Sequence, residues 1–299
     1  MTSPSGAVDN LNKKIDWDNF QKIALKIRRD IIKMLGVAGS GHPGGSLSAT
    51  DILTLLYFHF LKHDPKNPKW ADRDRVIFSK GHGCPALYSA LAEAGYFDRN
   101  LLLTLRKLGS PLQGHPDMRR LAGIEASTGS LGQGLSIGIG CALAAKLDKK
   151  DYTTYVILSD GELNEGQIWE GAAFASFQKL PNLIAILDYN KYQLSGATKD
   201  ILDMEPVVDK WKAFGWEVKE IDGHSHREIY DAIAWAKSAA KNGTPAIIVA
   251  HTIKGKGVSF MENNNHFHGV ANTKDETEKA LRELGEDEAE IKRVLGMIK

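Results

Sequence analysis

Residues 155–190 read YVILSDGELNEGQIWEGAAFASFQKLPNLIAILDYN. This stretch begins and ends with short β-branched apolar runs, and the segment between them is long enough to form a helix. Similar apolar runs occur at 76–78 and 246–249, and helical segments of ten or more residues separate the runs. Short apolar runs that alternate with helices are typical of a parallel sheet that is buried on both faces. We therefore predict an α/β fold with a mostly parallel sheet and helices on both faces.

Helical periodicity predicts elements around this sheet. Apolar residues recur at helical spacing over 17–35, where Gly36 suits a stop, and residues 48–61 predict another apolar helix. Ser225 and Glu228 have the spacing of a capping box, which would open a helix that ends near 242–243. The last 25 residues are charged and helical in pattern.

The domain organisation follows from the absence of linkers and internal repeats in the sequence. Residues 1–15 are rich in Ser, Gly and Asn, which is typical of a flexible tail. We predict one α/β domain over 16–299, with a helical C-terminal end, and we assign diphosphate and metal binding to it below.

Composition excludes several classes of function. The 299 residues include 38 basic and 37 acidic side chains, so a net charge of +1 gives no electrostatic reason to expect nucleic acid or an anionic membrane as a partner. Cys84 and Cys141 are too few for a disulfide framework or a zinc site. The N-terminus lacks the apolar region of a signal peptide, and no apolar run approaches the roughly 20 residues that span a bilayer. We expect a soluble cytoplasmic protein.

Polar residues directly follow the two strands of the quoted stretch. Asp160 and Gly161 follow the first strand, and Asn190 follows the second. Ligands of open α/β sheets bind at the carboxyl ends of strands, where Gly161 allows close approach of a phosphate and the helix beginning near Glu165 directs its amides at negative charge. Together with the backbone carbonyl of Tyr192, these oxygen ligands predict a hard divalent metal, magnesium or calcium, that binds a diphosphate. The alternative is an ordinary turn, because an isolated Asp-Gly pair is a common turn former.

Histidines beside glycine favour the first interpretation. Imidazoles at Gly-His positions in loops can bind hydroxyls or move protons where the backbone comes close to a ligand. Five of the ten histidines adjoin glycine, namely His42, His82, His115, His224 and His268. Among these, we interpret His224 as part of a helix start, and we interpret His59 and His63, on an apolar helix, as structural. The glycine-rich stretch TGSLGQG at 128–134 leads into an apolar helix and is by itself a weak signal.

Taken together, these stretches resemble the N-terminal, diphosphate-binding half of transketolase, a thiamine-diphosphate enzyme. The resemblance covers about 15–269 and rests on blocks in the family's order: SGHPGG, DRVIFSKGHG, QGHPD, STGSLGQGLS, LSDGELNEGQIWE, LIAILDYNKYQLSG, and HTIKGKG followed by FHG. It implies thiamine diphosphate as cofactor, bound with Mg²⁺, Ca²⁺ or Mn²⁺. It also implies transfer of a two-carbon ketol unit from a ketose to an aldose, with sugar phosphates of the pentose phosphate pathway as substrates.

The resemblance assigns roles to individual residues. It implies that Asp160, Asn190 and the carbonyl of Tyr192 hold the metal. It implies cofactor contacts for Lys80, His82, Gly129, Ser130, Leu131, Gly161, Glu165, Asn190, Lys254 and His268, with Glu165 at a subunit interface. It implies catalytic handling of sugar hydroxyls by His42, His82, His115 and His268. Of these, His42 or His268 suits proton removal from the C3 hydroxyl, and His115 suits the C1 hydroxyl.

Two positions depart from the family pattern. Ser159 stands where the family usually has glycine, and one small residue for another should not disturb ligation by Asp160. The stretch 188–190 reads DYN, where the family has a version with two asparagines, and Asn190 keeps the ligand position.

The chain ends about thirty residues after FHG, whereas transketolases continue with a pyrimidine-binding domain and a C-terminal domain. In the family the pyrimidine-binding domain supplies the glutamate that protonates the aminopyrimidine ring. We therefore predict the diphosphate-binding subunit of a split transketolase, active only with a separate C-terminal subunit in an α2β2 heterotetramer. The alternatives are a subunit of another thiamine-diphosphate enzyme, similar to deoxyxylulose-phosphate synthase or dihydroxyacetone synthase, and a non-catalytic chain that binds thiamine diphosphate.

Overall fold

A parallel sheet forms the centre of the molecule. The structure, a computed structural model, describes residues 15–239 and 243–298. Over these residues one sheet contains five parallel strands in the order β1-β2-β3-β5-β4. The strands are β1 (Arg75–Phe78), β2 (Thr154–Ser159), β3 (Leu183–Tyr189), β4 (Glu217–Asp222) and β5 (Ala246–His251). The predicted α/β fold is confirmed.

Helices cover both faces of this sheet. They are α1 (Trp17–Ala38), α2 (Pro43–Ser48), α3 (Thr50–Leu55), α4 (Cys84–Glu93), α5 (Gln133–Leu147), α6 (Gly166–Phe177), α7 (Thr198–Ile201), α8 (Val207–Ala213), α9 (His226–Ala239), α10 (Lys274–Glu283) and α11 (Glu288–Leu295). Because side chains alternate along a strand, neighbouring residues of the central strands enter different cores. Ile157 and Ile186 pack in the core that includes α1, α3, α4 and α9, while Val156 and Leu187 pack in the core that includes α5, α6 and α8.

One strand was not predicted from the sequence. β4 lies at the edge of the sheet and pairs only with β5. Of its residues, Ile221 alone is buried, so the sequence EVKEID carries no apolar run. The four predicted strands are present, with bounds that differ by up to two residues at an end.

The end of α1 differs from the prediction. Gly36 lies inside the helix, which continues to Ala38 and ends where Gly39 adopts a left-handed conformation with φ of 63°. A Cβ atom at Gly36 would lie 2.5 Å from Oγ1 of Thr277 on α10, so this glycine permits close helix packing and does not stop the helix.

The helix predicted over 48–61 begins earlier and is divided. α2 starts at Pro43, directly after His42, and α3 is followed by a π-helical turn over Leu56–Phe60.

Only one of the two hydrogen bonds of the capping box predicted at α9 is present among the described residues. The Ser225 hydroxyl accepts a bond from the Glu228 amide at 3.3 Å, but the Glu228 carboxylate accepts from Asp222 instead.

The C-terminal prediction is confirmed by α10 and α11, both of which pack against α1. The predicted tail lies outside the described residues except for Ile15, and the predicted end of α9 at residue 242 also lies outside them. Within the described ranges, every helix is too short or too polar to cross a membrane.

Candidate functional site

A cavity of about 370 Å³ lies where β2 and β3 end. Its lining includes Ser159, the last residue of β2, and Asn190, which directly follows β3. Most of the predicted site residues line it: His42, Lys80, His82, Gly129, Leu131, Gly161, Glu165, Asn190, Tyr192, Lys254 and His268. The lining also includes four residues that were not predicted from the sequence, Gly45, Asn164, Gln193 and Leu194. The strand ends therefore indicate where the cavity lies, but not this part of its wall.

Three predicted site residues lie outside this lining. Asp160 is buried between Ser159 and Gly161, both of which line the cavity. Ser130 and His115 are exposed. His115 lies against the glycine-rich loop, since a Cβ atom at Gly129 would come within 2.8 Å of its ring. The structure thus places His115 beside the loop at the edge of the site.

The predicted metal ligands lie next to one another. The Asp160 carboxylate accepts bonds from the amide of Gly161 at 3.0 Å and from the amide of Lys191. The side-chain oxygen of Asn190 accepts a bond from the Tyr192 amide at 3.1 Å. Lys191 adopts a left-handed conformation with φ of 70°, and the bond from its amide holds the residues after β3 against Asp160.

The charge of Asp160 fits a bound cation. Burial raises the pKa of Asp160 to about 7, and the nearby carboxylate of Asp188 adds to this effect. A buried carboxylate in such a position is stabilised in its charged form by a cation. The described residues contain no cluster of three His, Cys, Asp or Glu side chains suited to a metal. A ligand set of carboxylate, amide oxygen and backbone carbonyl suits a hard divalent ion instead.

Lys80 is neutralised by a residue that the sequence analysis did not assign. Lys80 and Asp188 are fully buried and form an ion pair. Burial alone would raise the pKa of Asp188, but Lys80 and the hydroxyls of Ser48 and Thr252 more than offset this and lower it. A charged residue inside the apolar run of β3 was the signal available in the sequence.

Three histidine rings meet in the cavity. The ring centroids of His42, His82 and His268 lie 5.2, 5.8 and 5.5 Å apart in their three pairings. Burial first, and nearby positive charge second, lower the pKa of His42 to about 4 and that of His268 to about 3. The pKa of His82 is lowered well below its usual value by the same causes. These imidazoles are therefore neutral near pH 7, and each can donate one hydrogen bond and accept another.

A lysine determines which nitrogen of His268 carries the proton. The Lys254 ammonium lies 2.6 Å from Nδ1 of His268 and 2.8 Å from Oδ1 of Asn265. Burial lowers the pKa of Lys254 to about 8, so it is mainly charged at pH 7. An ammonium group can only donate, so Nδ1 of His268 accepts and the ring proton is assigned to Nε2. By contrast, Nδ1 of His42 is buried and has no hydrogen-bond partner among the described residues.

Glu162 joins the glycine-rich loop to the end of β2. Its buried carboxylate accepts bonds from the Gly132 amide at 2.8 Å, from the Ser159 amide at 3.3 Å and from the Ser79 hydroxyl. Burial raises the pKa of Glu162. Next to it, Gly161 permits close packing, because a Cβ atom there would lie 2.8 Å from Cβ of Gln193. The sequence analysis assigned Glu162 no role.

The other histidines make structural contacts outside the cavity. His63 bonds to the Tyr96 hydroxyl and the Tyr57 carbonyl, at 3.0 and 2.9 Å. His59 packs against aromatic rings, including that of Phe60. His224 lies in the turn before α9 and bonds to Asp51. These contacts agree with the structural roles expected from the sequence, but His63 follows the π-helical turn that ends at Phe60 and does not lie on the predicted apolar helix.

Comparison with known proteins gives consistent matches over this fold. Residues 20–294 match the family described as transketolase, thiamine diphosphate binding domain. The 6-deoxy-6-sulfo-D-fructose transketolase subunit SqwG of Clostridium sp. (strain MSTE9) is 49% identical over 271 residues, which are 91% of this chain and 98% of that protein. An apulose-4-phosphate transketolase subunit of Phocaeicola vulgatus is 44% identical over 87% of this chain and 92% of that protein.

Longer relatives are matched over less than half of their length. Human transketolase is 39% identical over 91% of this chain and 43% of its own length. The crystal structure of transketolase from Campylobacter jejuni matches with a TM-score of 0.85 and 34% identity, over 95% of this chain and 46% of that one. The chain therefore spans nearly all of the two subunit relatives and less than half of these longer transketolases.

Proposed function

The chain belongs to the transketolase family, and on that premise we propose that it is the diphosphate-binding subunit of a two-chain transketolase. It would transfer a two-carbon ketol unit from a ketose donor to an aldose acceptor. The observation that carries the proposal is the cavity at the ends of β2 and β3, which most of the predicted cofactor and histidine positions line and which Asp160 adjoins. The two relatives named as transketolase subunits, which this chain spans almost completely, support the division into two chains.

Thiamine diphosphate, bound with a divalent metal, is the cofactor of this family. When bound, it supplies the electron sink that allows the C2–C3 bond of a ketose to break. We propose that Asp160, Asn190 and the carbonyl of Tyr192 hold the metal, Mg²⁺ or alternatively Ca²⁺ or Mn²⁺. The fit of Asp160 rests on its burial and raised pKa. Gly161 and Lys254 would contact the diphosphate, the first through its backbone and the second through its charge.

The histidines would divide the work on the sugar. A base must remove a proton from the donor C3 hydroxyl, and a neutral imidazole with a free nitrogen suits this role. We propose His42 as this base, because its ring lines the cavity and makes no hydrogen bond among the described residues, whereas Nδ1 of His268 is occupied by Lys254. His268 and His82 would orient hydroxyls, and His115, beside the glycine-rich loop, would reach the C1 hydroxyl.

A partner subunit would complete the site. The cavity opens beside the exposed residues Glu165 and Leu194. Glu165 immediately precedes α6, which exposes Phe174 and Phe177 near its other end. The exposed Leu194 in the cavity wall and the two exposed phenylalanines on the adjoining helix support association with another chain. We propose that a separate subunit with the pyrimidine-binding domain covers this face, that two copies of each chain form the enzyme, and that it acts in the cytoplasm on sugar phosphates.

Reconstitution tests this proposal. Ketol transfer from a pentulose phosphate to an aldose phosphate should require this chain, the partner subunit, thiamine diphosphate and Mg²⁺ together. The Asp160→Ala variant serves as the control that retains the partner but lacks the main metal ligand. Turnover by this chain alone would refute the two-chain assignment. Activity with pyruvate in place of the pentulose phosphate would indicate another thiamine-diphosphate enzyme, and cofactor binding without any turnover would indicate a non-catalytic chain.

A further inference from the structure

A second group of charged residues lies outside the cofactor cavity. It consists of Arg28 on α1, Asp51 on α3 and His224 in the turn before α9, which we call the Asp51 cluster. These residues line a separate cavity of about 650 Å³. Asp51 is only 4% exposed, so its charge depends on these neighbours. The Arg28 guanidinium donates to both oxygens of Asp51, at 3.1 and 2.6 Å, and His224 bonds to one of them at 2.8 Å.

The cluster also bonds to the segment 252–257, which follows β5. Nε2 of His224 accepts a bond from the amide of Ile253 at 2.8 Å, and Nε of Arg28 donates to the carbonyl of Lys256 at 3.1 Å. Because Nε2 of His224 accepts, its proton lies on Nδ1, and this nitrogen therefore donates to Asp51. Asp51 thus holds the side chains of His224 and Arg28. These two side chains bond to the segment on either side of Lys254.

The segment has little regular structure to hold it. Gly255 and Gly257 adopt left-handed conformations, with φ of 82° and 93°. Irregular backbone needs hydrogen-bond partners for its polar groups, and the cluster satisfies one amide and one carbonyl. Arg28 also packs directly on the segment, since a Cβ atom at Gly257 would lie 2.9 Å from Cδ of Arg28. The cluster therefore joins the segment to α1 and to the turn before α9. Backbone bonds also hold it, from the Gly255 amide to the Gly44 carbonyl at 3.0 Å and from the Asn263 amide to the Lys254 carbonyl at 2.9 Å.

The residue between these two contacts belongs to the cofactor cavity. Lys254 is 1% exposed, and its ammonium lies 2.6 Å from Nδ1 of His268. A displacement of about 1 Å would carry this pair out of hydrogen-bond range. We propose that Asp51 is a positioning residue that acts through His224 and Arg28 to hold Lys254 against His268 for cofactor binding. This inference rests on the proposed function, because it assigns Lys254 to the diphosphate of the cofactor.

Two substitutions at His224 and one at His226 test the inference. His224→Leu removes the bonds to Asp51 and to Ile253. His224→Gln keeps an acceptor for the Ile253 amide and a donor for Asp51. His226→Leu is the matched control, because His226 donates to the same carboxylate at 3.1 Å and its side chain is about as buried as that of His224. His226 is not among the residues that bond to the segment.

Two measurements on the full-length chain separate positioning from general stability. Titration with Mg²⁺ and thiamine diphosphate gives the dissociation constant. Long-range ¹H–¹⁵N spectra of the unliganded, histidine-labelled chain give the tautomer of His268, with His268→Gln as the assignment control. We expect His224→Leu to raise the dissociation constant about tenfold, since it leaves the part-buried Ile253 amide unpaired. We also expect it to shift His268 from the Nε2-protonated form to a mixture of tautomers.

The control and rescue variants should differ from His224→Leu. We expect His224→Gln and His226→Leu to bind the cofactor within about twofold of wild type, even where His226→Leu lowers the melting temperature. Equal losses of affinity in His224→Leu and His226→Leu would overturn the inference, as would an unchanged tautomer in His224→Leu. If His224→Leu does not fold, Arg28→Lys replaces it, because lysine keeps the charge near Asp51 and loses the bond to Lys256.

The same measurements distinguish this inference from the proposed function. Suppose that the wild-type chain does not bind Mg²⁺ and thiamine diphosphate, but that the tautomer of His268 shifts in His224→Leu. This result would overturn the proposed function and retain the link from Asp51 to His268. If the wild-type chain binds the cofactor but the tautomer of His268 is unchanged in His224→Leu, the link from Asp51 to His268 is overturned and the proposed function is retained.

Discussion

Replacing Asp160 by asparagine should have opposite effects on stability without and with the cofactor. The substitution keeps the size of the side chain and removes its charge. In the metal-free protein, burial first and the carboxylate of Asp188 second raise the pKa of Asp160 from 3.8 to about 7. The folded state therefore binds a proton at this position that the unfolded chain releases near pH 4.

The sign of the pH effect follows from the raised pKa. The contribution of Asp160 to the free energy of unfolding is full below about pH 4 and is lost as the pH rises through about 7. A displacement of this size corresponds to roughly 4 kcal/mol, since one pKa unit is worth about 1.36 kcal/mol. An asparagine does not titrate. We therefore expect metal-free Asp160→Asn to gain stability relative to wild type between pH 4 and 7, by up to about 4 kcal/mol, and to keep that difference above pH 7.

The cofactor should reverse the order. At a ligand concentration one hundred times the dissociation constant, binding stabilises a protein by about 2.7 kcal/mol. Wild type should gain this at pH 8 in Mg²⁺ and thiamine diphosphate, because the metal compensates the Asp160 carboxylate. The variant should gain little, since it has lost the charged ligand.

Urea unfolding at pH 5 and pH 8 measures both effects, once with a chelator and once with Mg²⁺ and thiamine diphosphate. Asp200→Asn is the control for net charge, because Asp200 is an exposed aspartate on the nearby α7. Equal stabilisation of wild type and Asp160→Asn by the cofactor would show that Asp160 is not a metal ligand. A difference in metal-free stability that is the same at pH 5 and pH 8 would show that burial does not raise its pKa.

Further predictions concern packing, binding and catalysis. Gly36→Ala should lower the free energy of unfolding by about 1–3 kcal/mol in urea, because its Cβ atom would lie 2.5 Å from Thr277. Gly140→Ala, at a helical glycine with open space, should instead be neutral or gain up to about 1 kcal/mol. Wild-type affinity for thiamine diphosphate, measured by titration calorimetry, should fall as the pH rises through about 8 and Lys254 loses its charge. In Lys254→Met the affinity should be lower and should lack this fall above pH 8. His42→Ala should lower kcat of the reconstituted enzyme by roughly 10²–10⁴ and change the cofactor dissociation constant little, which steady-state kinetics and titration together would check.

The sequence predicted the parts of the fold that are buried on both faces. β2, β3 and β5 are apolar along most of their length because helices cover both sides of the sheet, so their runs were recognisable. β4 has one neighbour and a largely unburied surface, and its polar sequence gave no such signal. The helix end predicted at Gly36 was wrong, because a glycine can either end a helix or allow another element to pack closely against it. The residue that packs against Gly36, Thr277, is far away in the chain.

In the site, too, some features follow from local sequence patterns and others depend on contacts between residues far apart in the chain. Asp160 and Asn190 could be placed together because each follows a strand, and neighbouring parallel strands end at the same edge. The pairing of Lys80 with Asp188, 108 residues later, required contacts that no local pattern contains. The exposure of His115 likewise depends on how the glycine-rich loop folds. Local rules thus located the cavity, and long-range contacts determine the protonation state and orientation of its side chains.

Those contacts narrow the choice of base between His42 and His268, which the sequence left open. Both rings lie in one cavity, and burial lowers the pKa of both well below 7, so neither proximity nor charge separates them. Lys254 does, because its ammonium occupies Nδ1 of His268 and leaves Nε2 with the proton. A base needs an unshared lone pair at the nitrogen that meets the substrate, and no hydrogen bond among the described residues fixes the ring proton of His42. If Lys254 makes this assignment, Lys254→Met should restore a second possible base, and His42→Ala should then lower kcat less in the Lys254→Met background than in wild type. Additive losses in the double variant would contradict the division of roles.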